Sequence, residues 1–316
     1  EVNIMHSNLW WVAFGIMIFI LLALDIAVFN RKNHEIRLKE AVLWSAFWIS
    51  LALMFNVVVY VFYGHESALQ YLTAYLVEKS LSMDNLFVFL MIFSFFKVPQ
   101  RYQHKVLFWG IIGALVMRLF FIFAGITLIN KFHWIIYLFG AMLIYSGIKM
   151  VKDKETEIHP EKNKVLRLFR KFMPTTSKYH GGSFFVRIDG VLHATPLFVV
   201  MIVIETSDLI FAVDSIPAVL AISNDTFIVY TSNIMAILGL RALFFALAGV
   251  MNIFEYLHYG LSAILVFVGI KMILADLYKI NIFVSLIVIF SILFISIIAS
   301  VIDGRKKNRE PQKHKE

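Results

Sequence analysis

The chain contains long runs of apolar residues, each about twenty residues in length, separated by short polar segments. A helix formed by such a run can cross the ~30 Å hydrocarbon core of a bilayer. Every backbone polar group in that core must be hydrogen-bonded within the protein, and a helix meets this requirement. The runs therefore predict an all-α polytopic membrane protein with about nine transmembrane helices. The predicted helices cover 9–29, 41–63, 69–96, 107–129, 132–151, 191–222, 226–249, 257–275 and 282–303.

The composition agrees with a membrane protein. Hydrophobic residues make up 60% of the chain and charged residues only 16%, whereas soluble chains are nearer half apolar and a quarter charged. Cysteine is absent, which excludes disulfides, thiolate metal ligands and cysteine nucleophiles. Because the zinc motif HExxH, the phosphate-binding glycine loop and the GxSxG motif are also missing from the sequence, we expect no enzymatic activity.

The basic residues predict the orientation of the chain. With the N-terminus outside, the inside segments hold 23 lysines and arginines, and the outside segments hold only Lys131 and Lys279. Cytoplasmic loops of membrane proteins carry such an excess. The bias therefore predicts a multi-pass protein with an outside N-terminus and a cytoplasmic C-terminus. The inside segments are 30–40, 97–106, 149–190, 250–256 and 304–316.

The longest segment between apolar runs, 152–190, is basic and is predicted to be cytoplasmic. The plainer interpretation is a solvated connector between two halves of the protein. Residues 184–192 also have the pattern of a small β-hairpin, with Asp189 and Gly190 at the turn. A protein partner could dock on this loop, but nothing in its sequence identifies that partner.

Three landmarks recur along the chain at offsets of 124, 123 and 122 residues. Each of the two repeats holds three predicted helices, so the second repeat enters the membrane from the opposite side. This predicts a three-plus-three inverted repeat, a common plan of secondary transporters. A gene duplication without transport is the alternative. The paired landmarks are Asp84 with Asp208, Arg118 with Arg241, and Gly147 with Gly269.

The repeat divides the chain into five segments. The two three-helix repeats are separated by the basic loop and flanked by additional helices. The segments are two leading helices (1–68), the first repeat (69–151), the cytoplasmic loop (152–190), the inverted second repeat (191–275), and the last helix with its basic tail (276–316).

The first helix of each repeat carries carboxylates at membrane depth. Each such charge costs roughly 2.5–3.5 kcal/mol on insertion, so the acids must face each other, a cation or basic partners. Carboxylate and amide oxygens suit hard divalent cations such as Mn²⁺, Mg²⁺ or Ca²⁺. The sequence therefore predicts a metal site near the midplane. Its candidate ligands are Glu78, Asp84, Asn85, Glu205, Asp208 and Asp214.

Two further features belong to this prediction. Pro217 lies one turn past Asp214, and a helix broken there would bring Asp214 and unpaired carbonyls into the site. Arg118 and Arg241 lie inside predicted helices, where we expect them to be structural charge partners of the acids. Lys79 is expected to be a similar partner, and Asn233 is a weaker candidate ligand.

The acidic segments resemble the signature segments of the TerC family of integral membrane proteins, and the length and layout of the chain resemble its Alx branch. The resemblance implies a manganese exporter of a bacterial inner membrane. It also places the acidic site of the family on Glu78, Asp84, Glu205, Asp208 and Asp214. The matching segments are Glu78–Asn85, Glu205–Pro217 and Thr231–Arg241.

Residues and resemblance together predict a secondary transporter that exports Mn²⁺ from the cytoplasm. Because no ATPase motif is present, proton influx is the expected driving force. The alternatives are transport of another divalent cation, Ca²⁺ or Mg²⁺, and a membrane metal sensor or scaffold that acts through partner proteins. The expected partners are the lipid bilayer and the divalent ion, without nucleic acid or a catalytic cofactor.

The charge bias gives a direct test of topology. A reporter fused after Lys315 should be active only in the cytoplasm, and one inserted near Asn224 only outside, because basic segments are retained inside. Paired phosphatase and fluorescent-protein fusions measure this. Both sites on one side of the membrane would contradict the nine-span arrangement.

Overall fold

The computed structural model describes residues 8–29, 38–152, 166–169, 173–248, 257–278 and 280–309. These residues form a helical bundle and one β-hairpin. In chain order the elements are α1 (Asn8–Phe29), α2 (Leu38–Phe95), α3 (Gln100–Lys131), α4 (Ile135–Lys152), β1 (Phe185–Ile188), β2 (Val191–Ala194), α5 (Pro196–Leu220), α6 (Thr226–Leu238), α7 (Leu240–Ala248), α8 (Leu257–Ile273) and α9 (Ile282–Arg309).

Five described helices are long and apolar enough to cross a membrane, namely α2, α3, α4, α5 and α9. Helices α6 and α7 meet at a 40° bend and together would make a sixth span. Helices α1 and α8 contain shorter apolar stretches, Leu9–Leu24 and His258–Ile273. The helical membrane architecture predicted from the apolar runs is therefore confirmed.

Helix α2 is 58 residues long and is interrupted at Gly64, which has φ 84° and ψ 176°. Glycine reaches positive φ without the steric penalty of a side chain, so it suits a kink between two helical segments. The kink lies between the helices predicted at 41–63 and 69–96. It separates a segment at 38–63 from a segment at 65–95.

The start of the helix predicted over 191–222 is wrong. Val191–Ala194 instead pairs with Phe185–Ile188 as an antiparallel hairpin, which is the hairpin that the pattern at 184–192 predicted. The turn residues Asp189 and Gly190 have φ values of 49° and 80°. Helix α5 begins only at Pro196. Proline is favoured in the first helical turn, because the N–H that it lacks would have no hydrogen-bond partner within the helix.

The break predicted near Pro217 is also wrong. Helix α5 continues through Pro217 to Leu220, and the N–H of Ala221 donates to the Pro217 carbonyl at 2.9 Å. Pro217 removes only the hydrogen bond to the carbonyl four residues earlier, and the helix closes one more turn after it. Of the two helices predicted at 191–222 and 226–249, the second is the one that breaks, at Gly239 between α6 and α7.

Helix α6 lies inside the bundle. Nearly all of its residues are buried, from Phe227 to Leu238, and it packs against α2 and α3. The outward faces of the peripheral helices carry exposed apolar side chains, including Phe19, Phe120 and Phe290. An apolar exterior on this scale suits contact with lipid tails.

Helices α4 and α8 cross through glycines. A Cβ on Gly140 would lie 2.9 Å from the Gly269 carbonyl oxygen, and a Cβ on Gly269 would lie 2.7 Å from the Gly140 oxygen. Further along the crossing, a Cβ on Gly147 would lie 2.8 Å from the Ser262 oxygen, and the Ser262 hydroxyl donates to the Gly147 carbonyl. Small residues let the helix backbones approach this closely.

This crossing predicts that Gly269→Ala destabilises the protein. The added methyl would meet backbone atoms that cannot rotate away, and overpacking of this kind costs about 1–3 kcal/mol. Thermal unfolding in detergent should show a lower Tm than wild type. Gly15→Ala is the matched control, since nothing lies within 4 Å of a Cβ there. Equal Tm values for the two variants would contradict the tight crossing.

Candidate cation site

Three helices meet at a buried ion pair. Nη1 of Arg118 on α3 lies 2.5 Å from Oε1 of Glu78 on α2, and the two side chains are 1% and 0% exposed. Asn233 on α6 connects to both, because its Nδ2 donates to Glu78 Oε2 at 3.1 Å and its Oδ1 accepts from Arg118 Nη1 at 3.0 Å. The hydroxyl of Ser82, one turn along α2, donates to Glu78 at 3.2 Å.

The Arg118 guanidinium therefore provides the positive charge beside the Glu78 carboxylate. Two ions buried without water are stable only if their geometry is good and their remaining polar atoms find partners. Asn233 and Ser82 supply such partners to Glu78. The Nε of Arg118 has no hydrogen-bond partner among the described residues, so this one N–H of the guanidinium remains unpaired.

A narrow cavity beside this network brings together side chains of α5 and α7. Glu205 and Asp208 on α5 and Arg241 on α7 line it, and its other walls are mainly apolar side chains of α2, α3 and α6. Asp208 is only 7% exposed, and its Oδ2 has no hydrogen-bond partner among the described residues. Asp208 also lies close enough to Arg118 and Glu78 to interact with them electrostatically. A buried carboxylate oxygen without a donor is unfavourable unless a cation or a proton satisfies it.

Glu205 is positioned by a glycine on the facing helix. A Cβ on Gly113 of α3 would come within 2.6 Å of Cδ of the Glu205 carboxylate. A Cβ on Gly110, one turn earlier, would stay 3.6 Å from the nearest Glu205 oxygen, which is an ordinary contact. Gly113 therefore provides the space that the carboxylate occupies.

Lys79 lies next to the ion pair in the chain but binds a backbone carbonyl. Its Nζ donates to the carbonyl of Ala236 at 3.1 Å. Ala236 lies in the last turn of α6, where helix carbonyls lack partners and attract positive charge. A Cβ on Gly239 would lie 3.0 Å from that Nζ and 2.9 Å from Trp48 Cβ. The absence of a side chain at Gly239, where the helix breaks, therefore leaves room for the buried lysine.

The remaining predicted ligands are not gathered into one cluster. Asp214 accepts a hydrogen bond from Ser146 of α4 at 2.7 Å, and Asn85 is buried on α2. The side chain of Asp84 lies outside the part of the chain that the structure describes. Within that part, no three histidine or acidic side chains lie together in a way that could hold a metal ion.

Comparison with known proteins identifies the family. The model of the integral membrane protein TerC family matches residues 63–308. The chain belongs to the TerC family of integral membrane proteins. An uncharacterized membrane protein of Myxococcus xanthus is 50% identical over 295 residues, covering 93% of this chain and 92% of that protein.

Relatives in enteric bacteria carry the name Alx. The Escherichia coli K12 protein is 45% identical over 305 residues, covering 94% of this chain and 95% of its own length. The Salmonella typhi protein is 44% identical over 317 residues, covering 98% of each chain. Both are provisionally described as membrane-bound redox modulators. No solved structure matches this TerC-family chain.

Sequence reasoning underestimated two residues and missed two others. It treated Asn233 as a weak candidate and Lys79 as a partner of acids, whereas Asn233 binds both members of the ion pair and Lys79 binds a carbonyl. It gave no role to Gly113 or Ser146. The spacing of Gly110 and Gly113, one turn apart on an apolar helix, is a signal of close packing that could have identified the first.

A substitution at Gly113 can change the geometry of the site without lowering the stability of the protein. Gly113→Ala should leave the Tm close to that of wild type, since the atom it meets is the end of a flexible side chain, but it should displace the Glu205 carboxylate. The Mn²⁺ efflux that the family resemblance implies should then fall about tenfold or more in proteoliposomes, as a misplaced charged ligand costs at least ~1.4 kcal/mol. Gly110→Ala is the control and should retain efflux. Unchanged efflux in both variants would show that the position of Glu205 does not matter.

Proposed function

We propose that the chain is a secondary transporter that exports Mn²⁺ from the cytoplasm, and that Glu78, Glu205 and Asp208 converge on the ion during transport. The observation that carries the proposal is the buried, unpartnered Oδ2 of Asp208 in a cavity shared with Glu205, beside the Glu78–Arg118 pair. The oxygen ligands favour a hard divalent ion. The choice of Mn²⁺ over Mg²⁺ or Ca²⁺ comes from the family resemblance.

In the proposed mechanism, Arg118 takes the place of the transported ion. The guanidinium neutralises Glu78 in this state, and Asn233 holds both side chains. A divalent ion that enters beside Asp208 would compete with Arg118 for Glu78. Asp84, Asn85 and Asp214 remain proposed ligands that would join the ion at other stages of transport.

The nine-span inverted repeat is part of the proposal and is supported by the α4–α8 crossing. At the offset of 122 residues, Gly140 corresponds to Ser262, and Gly147 corresponds to Gly269. Gly140 packs on Gly269, while Gly147 packs on Ser262. This exchange of equivalent partners is what a two-fold axis produces at an interface. The nine spans would be α1, 38–63, 65–95, α3, α4, α5, α6 with α7, α8 and α9.

Export of a divalent ion needs a driving force. Moving two charges outward against 100 mV, inside negative, costs about 4.6 kcal/mol. Carboxylates bind either protons or metal ions, so inward protons could displace the cargo at the outer side and drive the cycle. The proposed localisation is the inner membrane of a bacterium, with the N-terminus outside.

A role as a metal sensor or scaffold is the second candidate, and the description of the Alx relatives as redox modulators favours it. A modulator that uses its own thiols is excluded here, since the chain has no cysteine. Such a role would therefore act through the bound metal or through protein partners. Part of the loop where a protein partner could dock, at 153–165 and 170–172, lies outside the described residues.

Flux measured in proteoliposomes separates these candidates. With protons flowing down an imposed pH gradient, purified protein should move Mn²⁺ in the opposite direction. Asp208→Asn and Glu205→Gln should each reduce the rate about tenfold or more, since affinity for hard cations follows the number of charged ligands. Asp189→Asn is the matched control, because this acid lies in the hairpin turn and asparagine tolerates its positive φ. Wild-type flux in folded Asp208→Asn protein, or no flux in wild type, would contradict the proposal.

A further inference from the structure

A second, larger cavity lies at one end of the bundle, away from the ion pair. Its volume is 640 Å³, within the usual range for small-molecule sites. It opens between the kink at Gly64, the end of α5, the end of α8 and the start of α9. The predicted topology places this end of the bundle outside. The polar side chains that line it are His65, Glu66, Gln70, Lys271 and Asn281.

Lys271 provides a positive charge in this cavity. It is half-buried in the last turn of α8, and its ammonium group makes no ion pair or hydrogen bond with a described residue. An ammonium partly removed from water gains from an anionic partner. The lining also includes the carboxylate of Glu66, whose side chain is exposed to solvent.

The two amides of the cavity also present donors. The Ser223 hydroxyl accepts from the N–H of Asp225 and donates to Gln70 Oε1 at 2.6 Å, which leaves the Gln70 amide N–H groups available. Oδ1 of Asn281 accepts from the N–H of Phe283 at 2.8 Å, which likewise leaves its amide N–H groups available. The same contact caps the first turn of α9, whose N–H groups and dipole favour negative charge.

We propose that this cavity binds an oxyanion of the phosphate type. One ammonium, two amides with occupied oxygens and a helix N-terminus supply donors, whereas a cation would face the repulsion of Lys271. The remaining lining is apolar, including Leu69, Ile222 and Ile282. A free oxyanion and the headgroup of a phospholipid share this chemistry. The inference does not depend on the proposed transport.

Two measurements test the site and distinguish a free oxyanion from a phospholipid headgroup. Thermal unfolding of purified protein in detergent is recorded with inorganic phosphate and with sodium chloride at matched ionic strength. Native mass spectrometry then compares retention of phosphatidylglycerol with that of phosphatidylcholine. A saturable Tm increase with phosphate identifies a free oxyanion, and selective retention of phosphatidylglycerol without that increase identifies a lipid headgroup.

Lys271→Gln should weaken the binding observed about tenfold or more, since a charge-assisted hydrogen bond is replaced by a weaker neutral one. Lys271→Arg should retain it. Lys131→Gln is the matched control, because it removes one exposed charge outside the cavity. If Lys271→Gln does not fold, Gln70→Glu replaces a donor by a carboxylate and should abolish binding. The proposal would be overturned if wild type bound neither probe. It would also be overturned if the folded Lys271→Gln or Gln70→Glu protein bound as well as Lys131→Gln.

Discussion

The burial of charge in a low-dielectric interior is the constraint on which the rest of this structure depends. An arginine that is 1% exposed can remain charged there only beside an acid and with its polar neighbours oriented toward the pair. Glu78 and Asn233 meet this demand from α2 and α6, so one ion pair fixes three helices relative to each other. The same constraint makes the unpaired oxygen of Asp208, close to this pair, unfavourable unless a cation or a proton satisfies it.

Small residues allow the polar network to form. Gly113 leaves room for the Glu205 carboxylate, and Gly239 leaves room for Lys79 at the broken end of α6. The glycines of α4 and α8 bring two helices of the proposed repeats into backbone contact. In a bilayer, where lipid tails are as apolar as the side chains, such close packing and interhelical hydrogen bonds hold helices together.

The apolar runs predicted the helical segments well, because crossing the bilayer demands both length and composition. They placed the gap that contains Gly64, but the run at 191–222 wrongly included the second strand of the hairpin. They failed at Pro217 and Gly239, because the position of a helix break depends on neighbouring residues such as Trp48 and Lys79. Hydropathy carries no information on those contacts.

The candidate site was predicted in part. The cost of charge in the membrane singled out the acids and arginines from sequence alone. Spacing along single helices could not show that Glu78 takes Arg118 as its partner or that Asp214 faces Ser146 on α4. These pairings depend on which helices are neighbours, and residues such as Asn233 become important only once α6 lies between α2 and α3.

In the proposed transporter, a divalent ion and Arg118 compete for the same carboxylates. Equilibrium binding of Mn²⁺ to purified protein, followed by the electron paramagnetic resonance signal of the free ion, tests this competition directly. We expect saturable binding by wild type, loss of affinity of about tenfold or more in Asp208→Asn, and tighter binding in any folded Arg118→Gln protein. Weaker Mn²⁺ binding by folded Arg118→Gln, or unchanged binding by Asp208→Asn, would contradict it.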